Sequence, residues 1–533
     1  GSGPALPLLH QSPQSSREIE PLMAEWGKSF TVFAPDSPGY GLSAPLGVEQ
    51  AGLEDFAAAV AEFLEAIGIE RCGVYGYHTG SGMAVALAHQ HPQRVTAIGC
   101  NGLVMLMPPE LEDILANYLP KFEPSWDGAH LAWLWARMRE QMIFFPWYDA
   151  RLAARMVFPM RSPEALQQSV MEFLHAGDAY RVAYRAAFDY EAGPVLAQLT
   201  VPSLITAARI DPLCAHLERI DAQADCVKIE ASPDHDAAVA KCFAHLLGYQ
   251  GSAPPDAPPC DPLAGRTWSD TLRTDSGWVR LRRRGQQINS LILHDAGGSA
   301  ETAEELLAAC DQAAAIDLPG HGEAPAPAAD CDVAACADAV EQALAALDGE
   351  ARWLIGHGSG ALVAIEVAAR HRAKLRGVLV VDPPIPDPEL RAAILHEGLP
   401  DLDADWHGGH LSRAWHMVRD GRLYHPWFDR SLAGIRRTEP RLDNASIHLE
   451  VREHLKSNGH WQALCRDQLD ADPLTRAGEL TLPLVSCATA DGPWQAAARQ
   501  LAETGSRGNF VELPVARSAW SETLAAAMGR VSG

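Results

Sequence analysis

Nowhere in its 533 residues does the chain carry a run of about 18 apolar residues, so no segment reads as a membrane span and a soluble protein is expected. Basic residues are scarce. Against 68 aspartates and glutamates stand 43 lysines and arginines, a formal charge of -25 that disfavours nucleic acid and anionic membranes as partners. The acidic residues form no long block and read as a solvated surface. The only notable basic run, Arg280 with Arg282, Arg283 and Arg284, reads as an alternating solvated strand face. The eleven cysteines are odd in number and contain no CxxC pair, which argues against a disulfide framework or structural zinc. No dinucleotide fingerprint or phosphate loop is present, so no organic cofactor is expected. The start, Gly1-Ser2-Gly3-Pro4, lacks the basic-then-apolar pattern of a signal peptide, which predicts a cytoplasmic location. What remains is an ordinary globular composition, 47% hydrophobic, long enough for two or three domains.

The chain repeats itself in order. An apolar run from Leu6 to Leu9 ends in His10, and another from Leu291 to Leu293 ends in His294. Asp36 leads to Pro38-Gly39-Tyr40-Gly41, matched by Asp317 and Pro319-Gly320-His321-Gly322. Helical patterns then precede short strands ending in Gly76-Tyr77-His78-Thr79-Gly80 and Gly356-His357-Gly358-Ser359-Gly360. Strands alternating with helices at this spacing predict an α/β fold with a mostly parallel sheet covered on both faces. Further on, Trp126 and Trp147 recur as Trp406 and Trp427 with the same separation of 21 residues, an ungapped match that includes the helical insert. The expected layout is a first domain over 1–250 with a cap at about 108–190, a Pro/Ala/Gly-rich linker over 251–266 containing Cys260, and a second domain over 267–533 with a cap at about 384–472. Gly277 to Arg283 supplies an early strand pair that the first half lacks. Either Gly1 is not the natural start, or those strands are missing or come from another element.

His10, the Asp36 to Gly41 turn, the glycine-flanked elbow, Ile210-Asp211-Pro212 and His235 together resemble the α/β-hydrolase superfamily, in the branch with a helical cap between the sixth and seventh core elements. The resemblance covers nearly the whole chain twice. It implies two tandem α/β-hydrolase-fold domains, and it places His78 where the family has its nucleophile, Asp211 at the acid position and His235 at the base position. The oxyanion loop, commonly His-Gly in the family, reads His10-Gln11-Ser12-Pro13. Gln11, Ser12 and the backbone N–H of Thr79 are therefore candidate oxyanion or substrate contacts, with His130 and Trp147 of the insert as candidate pocket lining. The second half has Gly358 at the nucleophile position, Asp491 near the acid position and no histidine in Leu513 to Arg517, so a non-catalytic role is expected there. Ser359 stands one residue out of register.

Four readings follow for the first half. One is hydrolase or lyase chemistry on a small, partly apolar organic substrate, with His235 as general base held by Asp211 and His78 positioning or protonating substrate or water. A second is covalent catalysis on Thr79 or His78. A third is a metal site from His78, His235 and Asp211, the ligand set of an open zinc or facial-triad centre. The fourth is a pseudo-enzyme that keeps the fold and binds a ligand or partner. Nothing in the sequence bears on oligomeric state.

Overall fold

A computed structural model describes the chain except for residues 2, 49, 222, 257–264, 328–329, 348–349, 372 and 532–533. Cys260 and half of the expected linker fall outside the described residues. The chain divides into two compact units, Gly1–Glu123 with Ala132–Cys260, and Pro124–Leu131 with Asp261–Gly533. The division at Cys260 and Asp261 falls within the expected linker, and the sequence reading did not single out Pro124–Leu131 as part of the second unit.

In the first unit β1 (Ala5–Leu9), β2 (Thr31–Phe33), β3 (Cys72–Tyr77), β4 (Val95–Asn101), β5 (Ser203–Ala208) and β6 (Val227–Ser232) form one sheet in the order β2-β1-β3-β4-β5-β6. Every pairing is parallel. Strands buried on both faces must be apolar throughout, which is why Leu6, Leu8, Tyr75 and Leu204 join Trp26, Cys242 and Leu246 from the flanking helices in one core.

The second unit has β7 (Thr267–Thr274), β8 (Gly277–Arg284), β9 (Ser290–Leu293), β10 (Ala313–Ile316), β11 (Arg352–His357), β12 (Leu375–Val381), β13 (Leu484–Thr489) and β14 (Gly508–Leu513), in the order β14-β13-β12-β11-β9-β10-β8-β7. Its sheet is mixed, because β8 runs antiparallel to both β7 and β10. The β7–β8 hairpin has no counterpart among the described residues of the first unit. The arginine run on β8 departs from the solvated face expected of it. Arg280 is buried, and Arg280, Arg282 and Arg283 pair with Glu301, Glu304 and Asp270 at 3.0, 2.9 and 2.9 Å. Charges half-withdrawn from water need such partners.

Helices fill the interval between β4 and β5 and that between β12 and β13. Their internal wiring repeats. Trp147 Nε1 donates to the Tyr118 carbonyl and Trp427 Nε1 to the Gly398 carbonyl, both at 3.1 Å. Asp36 accepts the N–H groups of Ser16 and Leu42, as Asp317 accepts those of Ala300 and Glu323. Among the described residues no helix is long and apolar enough to cross a membrane.

Candidate active site

The turn from β3 into the helix Thr79–Gln90 holds His78 at φ 47°, ψ -107°, a conformation that ordinary side chains avoid. Glycine flanks the turn for a steric reason: a Cβ on Gly76 would lie 2.2 Å from the Gly80 carbonyl oxygen, and one on Gly80 2.2 Å from that of Leu9. Strain of this kind costs about 1–3 kcal/mol and persists where the surroundings over-determine it. The imidazole has room because β4 is followed by glycine, since a Cβ on Gly102 would stand 2.4 Å from His78 Cδ2.

His78 Nε2 lies 2.7 Å from Asp211 Oδ2, while Asp211 Oδ1 accepts the Leu213 N–H at 2.8 Å. The imidazole is a quarter exposed and the carboxylate one-tenth. Burial pushes the His78 pKa down, but the charge and hydrogen bond of Asp211 and the charge of Glu18 outweigh it, and the net shift is upward. Burial likewise opposes ionisation of Asp211, yet the His78 charge and hydrogen bond and the Leu213 N–H bring its pKa below the ordinary carboxylate value. The two shifts agree on an imidazolium–carboxylate pair. The other ring nitrogen, His78 Nδ1, makes no hydrogen bond among the described residues.

Glu18 completes the constellation. It sits in the 3-10 turn Ser16–Ile19 that follows the loop His10-Gln11-Ser12-Pro13, and Gln11 donates its side-chain amide to Glu18 Oε1. Burial raises the Glu18 pKa to about 7, against the pull of the Gln11 hydrogen bond and the charges of His78 and Arg161. A carboxyl of this kind is half-ionised at neutral pH. Sequence reasoning missed Glu18, Arg161 and Gly102, because no motif links Glu18 to an elbow sixty residues away.

Several expected contacts are arranged otherwise. His235 is exposed at the first position of the helix His235–Leu247, and Asp211 is paired with His78 rather than with it. The His235 ring lies 5.4 Å from that of Tyr77, and the Tyr77 ring lies 4.3 Å from that of His78. The Gln11 amide donates to Glu18. The Ser12 N–H, a candidate oxyanion donor, is accepted by Thr79 Oγ1 at 3.3 Å, and Ser12 Oγ is 2.9 Å from the Tyr40 hydroxyl. Trp147 lies within the helical insert, bonded to Tyr118. His130 falls in the segment that groups with the second unit, and its Nδ1 accepts the Ser125 N–H at 3.1 Å. No group of three or more His, Cys, Asp or Glu among the described residues could hold a metal ion, so His78, His235 and Asp211 do not form the expected ligand set.

The second unit keeps the elbow and fills it differently. Gly358 adopts φ 55°, ψ -124°, nearly the conformation of His78. Asp295 stands where Gln11 stands in the first unit, and its Oδ1 accepts the N–H groups of Ser359 at 2.7 Å and Ala296 at 2.8 Å. These two amides correspond to those of Thr79 and Ser12, which the sequence offered as candidate oxyanion donors in the first unit. A Cβ on Gly358 would meet that carboxylate at 2.2 to 2.6 Å. Asp382 follows β12 as Gly102 follows β4, and it binds the Thr489 N–H and hydroxyl at 3.0 and 2.8 Å. Asp491 is exposed and Ser359 is buried.

Family models match both units. The family described as alpha/beta hydrolase fold matches residues 4–232, and the alpha/beta hydrolase family matches residues 291–523. Among curated proteins, the chain is 34% identical over 95 residues to an uncharacterized protein of Mycobacterium tuberculosis, covering 18% of this chain and 28% of that one. It is 30% identical over 142 residues to a fluoroacetate dehalogenase of Burkholderia sp. (25% and 42%), and 33% identical over 103 residues to a 2-hydroxymuconate semialdehyde hydrolase of Pseudomonas sp. strain CF600 (19% and 36%). The matched stretches thus span well under two thirds of these relatives. Among solved structures, an enol-lactonase from Burkholderia xenovorans LB400 aligns at 17% identity and TM-score 0.37 over 49% of this chain and 100% of its own. An esterase from Rhodococcus sp. ECU1013 aligns at 16% and 0.39 over 49% and 99%.

Proposed function

The chain belongs to the α/β-hydrolase superfamily twice over, and from that premise we propose that its first unit is a hydrolase working by acid–base chemistry, with water as the nucleophile and no covalent intermediate on the protein. The observation that carries the proposal is the His78–Asp211 pair at the elbow, 2.7 Å long, which feels the charge of Glu18, a carboxyl that burial raises to about 7. The elbow offers no serine, cysteine or aspartate, and in this reading the attacking oxygen comes from solvent. In its ionised form Glu18 takes the proton of a water as that water adds to an electrophilic carbon of the substrate. His78, charged and held through Nε2–H by Asp211, donates its Nδ1 proton to the oxygen or leaving group on which negative charge builds. Asp211 keeps the ring oriented and charged and takes no proton itself. The substrate is a small, partly apolar organic molecule. The second unit, with its oxyanion position filled by Asp295, is non-catalytic.

Turnover should require ionised Glu18 and protonated His78, giving a bell whose acidic limb lies near 7 and whose basic limb follows the raised His78 value. A panel of esters, lactones, epoxides and haloalkanes supplies the assay. For whichever substrate turns over, His78→Ala is expected to lower kcat by about 10²–10⁴-fold, and unchanged turnover refutes the mechanism. A second reading, a binding protein without catalysis, draws support from the Ser12 N–H being already engaged by Thr79. It predicts no turnover across the whole panel.

A further inference from the structure

Within the first unit, Arg137 on the helix Ala129–Gln141 is 1% exposed, a guanidinium almost wholly withdrawn from water. Four rings surround it, with the centroids of Tyr118, Trp147, Phe173 and Tyr180 at 5.7, 5.4, 5.1 and 5.5 Å from its central carbon. Its Nη1 donates to Gln141 Oε1 at 2.7 Å and meets Met138 Sδ at 3.4 Å. Nε and Nη2 have no hydrogen-bond partner, and among the described residues no carboxylate pairs with the charge.

That arrangement is incomplete in a specific way. Aromatic faces attract the cation but do not accept in-plane N–H donors, so they leave part of its desolvation uncompensated. The two orphaned donors are neighbours on one edge of the guanidinium, the parallel fork that matches two oxygens of a carboxylate. The repeat supplies a control. The ungapped match that carries Trp126 to Trp406 and Trp147 to Trp427 carries Arg137 to Met417 and Gln141 to Gly421. Met417 is buried on the equivalent helix Gly409–Gly421, so packing of that helix does not call for a cation.

We propose that the Nε/Nη2 edge of Arg137 is an anion-recognition site, and that it takes the carboxylate of a small organic acid whose aromatic or apolar body packs among the surrounding rings. The site connects to the acid–base constellation through Gln141, which donates to the Tyr184 hydroxyl at 3.4 Å, and through Tyr184, whose hydroxyl feels the Glu18 charge. As a statement about substrate class it rests on the proposed hydrolase reading, whereas carboxylate binding itself does not.

Calorimetric titration of the full chain with acetate, benzoate and phenylacetate, and with neutral benzamide, tests this directly. Benzoate or phenylacetate is expected to bind, and benzamide at least about tenfold more weakly, since charge-assisted hydrogen bonds are lost. Arg137→Lys keeps the charge without the fork and should weaken carboxylate binding by about tenfold or more. Arg137→Met, the second unit's own residue, should abolish binding and raise the thermal midpoint of the ligand-free protein. If it fails to fold, the lysine variant and the benzamide comparison still decide. His78→Ala should bind carboxylates as wild type does, so loss of turnover there leaves the inference standing. The inference is overturned if no carboxylate in the set binds, if benzamide equals benzoate, or if Arg137→Lys and Arg137→Met bind like wild type.

Discussion

Replacing Glu18 by glutamine keeps the side chain's shape and an acceptor for the Gln11 amide while removing its charge. Unfolded, the carboxyl titrates near 4.5; folded, burial moves it to about 7 despite the Gln11 hydrogen bond and the charges of His78 and Arg161. The folded state therefore holds this proton more tightly than the unfolded chain. Its stabilisation is fully present below pH 4.5 and is lost as the pH rises through about 7. At about 1.4 kcal/mol per tenfold change in proton affinity, the loss comes to roughly 3 kcal/mol. For a domain of about 150–250 residues, that corresponds to roughly 6–12 °C in Tm. His78 contributes with the same sign, because its raised pKa gives stability that is present below 6.5 and lost as the pH rises through the folded value. That contribution is largely common to both proteins and mostly cancels in their difference. Scanning calorimetry of wild type and Glu18→Gln from pH 4.5 to about 8 reads the result. The variant should gain on wild type by several degrees across this range, with most of the gain between pH 5 and 7. Parallel curves would refute a proton held by burial at Glu18.

Asp211→Asn removes the charge that holds up the His78 pKa, so NMR titration of the imidazole should show a lower value than wild type, and an unchanged one would break the pairing. In the second unit, Gly358→Ala drives a methyl group into the Asp295 carboxylate and should cost about 1–3 kcal/mol by chemical denaturation. Adding Asp295→Gly should recover part of that loss, and strict additivity of the two changes would mean that the groups do not meet.

The sheets were legible because buried parallel strands are written as uninterrupted apolar runs, and because two copies of each run, turn and elbow check one another. The elbow glycines could be read for the same reason, since packing against Gly80 and Leu9 admits nothing larger at those positions. Which side chain Asp211 would hold was not legible. Order along the chain favoured His235, but the outcome depends on a ring 133 residues away reaching within 2.7 Å. One local signal did point away from His235: Asp234 accepts the Ala237 N–H as a helix N-cap, which puts the following residue on the first exposed turn. Glu18 and Arg137 carry no such signal, because what distinguishes them is withdrawal from water with no oppositely charged side chain hydrogen-bonded to either among the described residues, a property of the packed molecule.

The two elbows also show why losing a nucleophile need not leave a void. In the first unit a large ring enters the vacated space, which requires Gly102 to give it room and Asp211 to balance its charge. In the second the elbow residue shrinks to Gly358, the space passes to Asp295, and the two amides that would have bound a reaction's anion bind that carboxylate instead. Left empty, those amides would each cost about 1–3 kcal/mol as unpaired buried donors. An internal anion removes that penalty and at the same time bars a substrate oxygen from the position. Among the described residues of the first unit only the Ser12 N–H of the corresponding pair is engaged, by the neutral Thr79 hydroxyl, a weaker competitor than a carboxylate for an incoming negative charge.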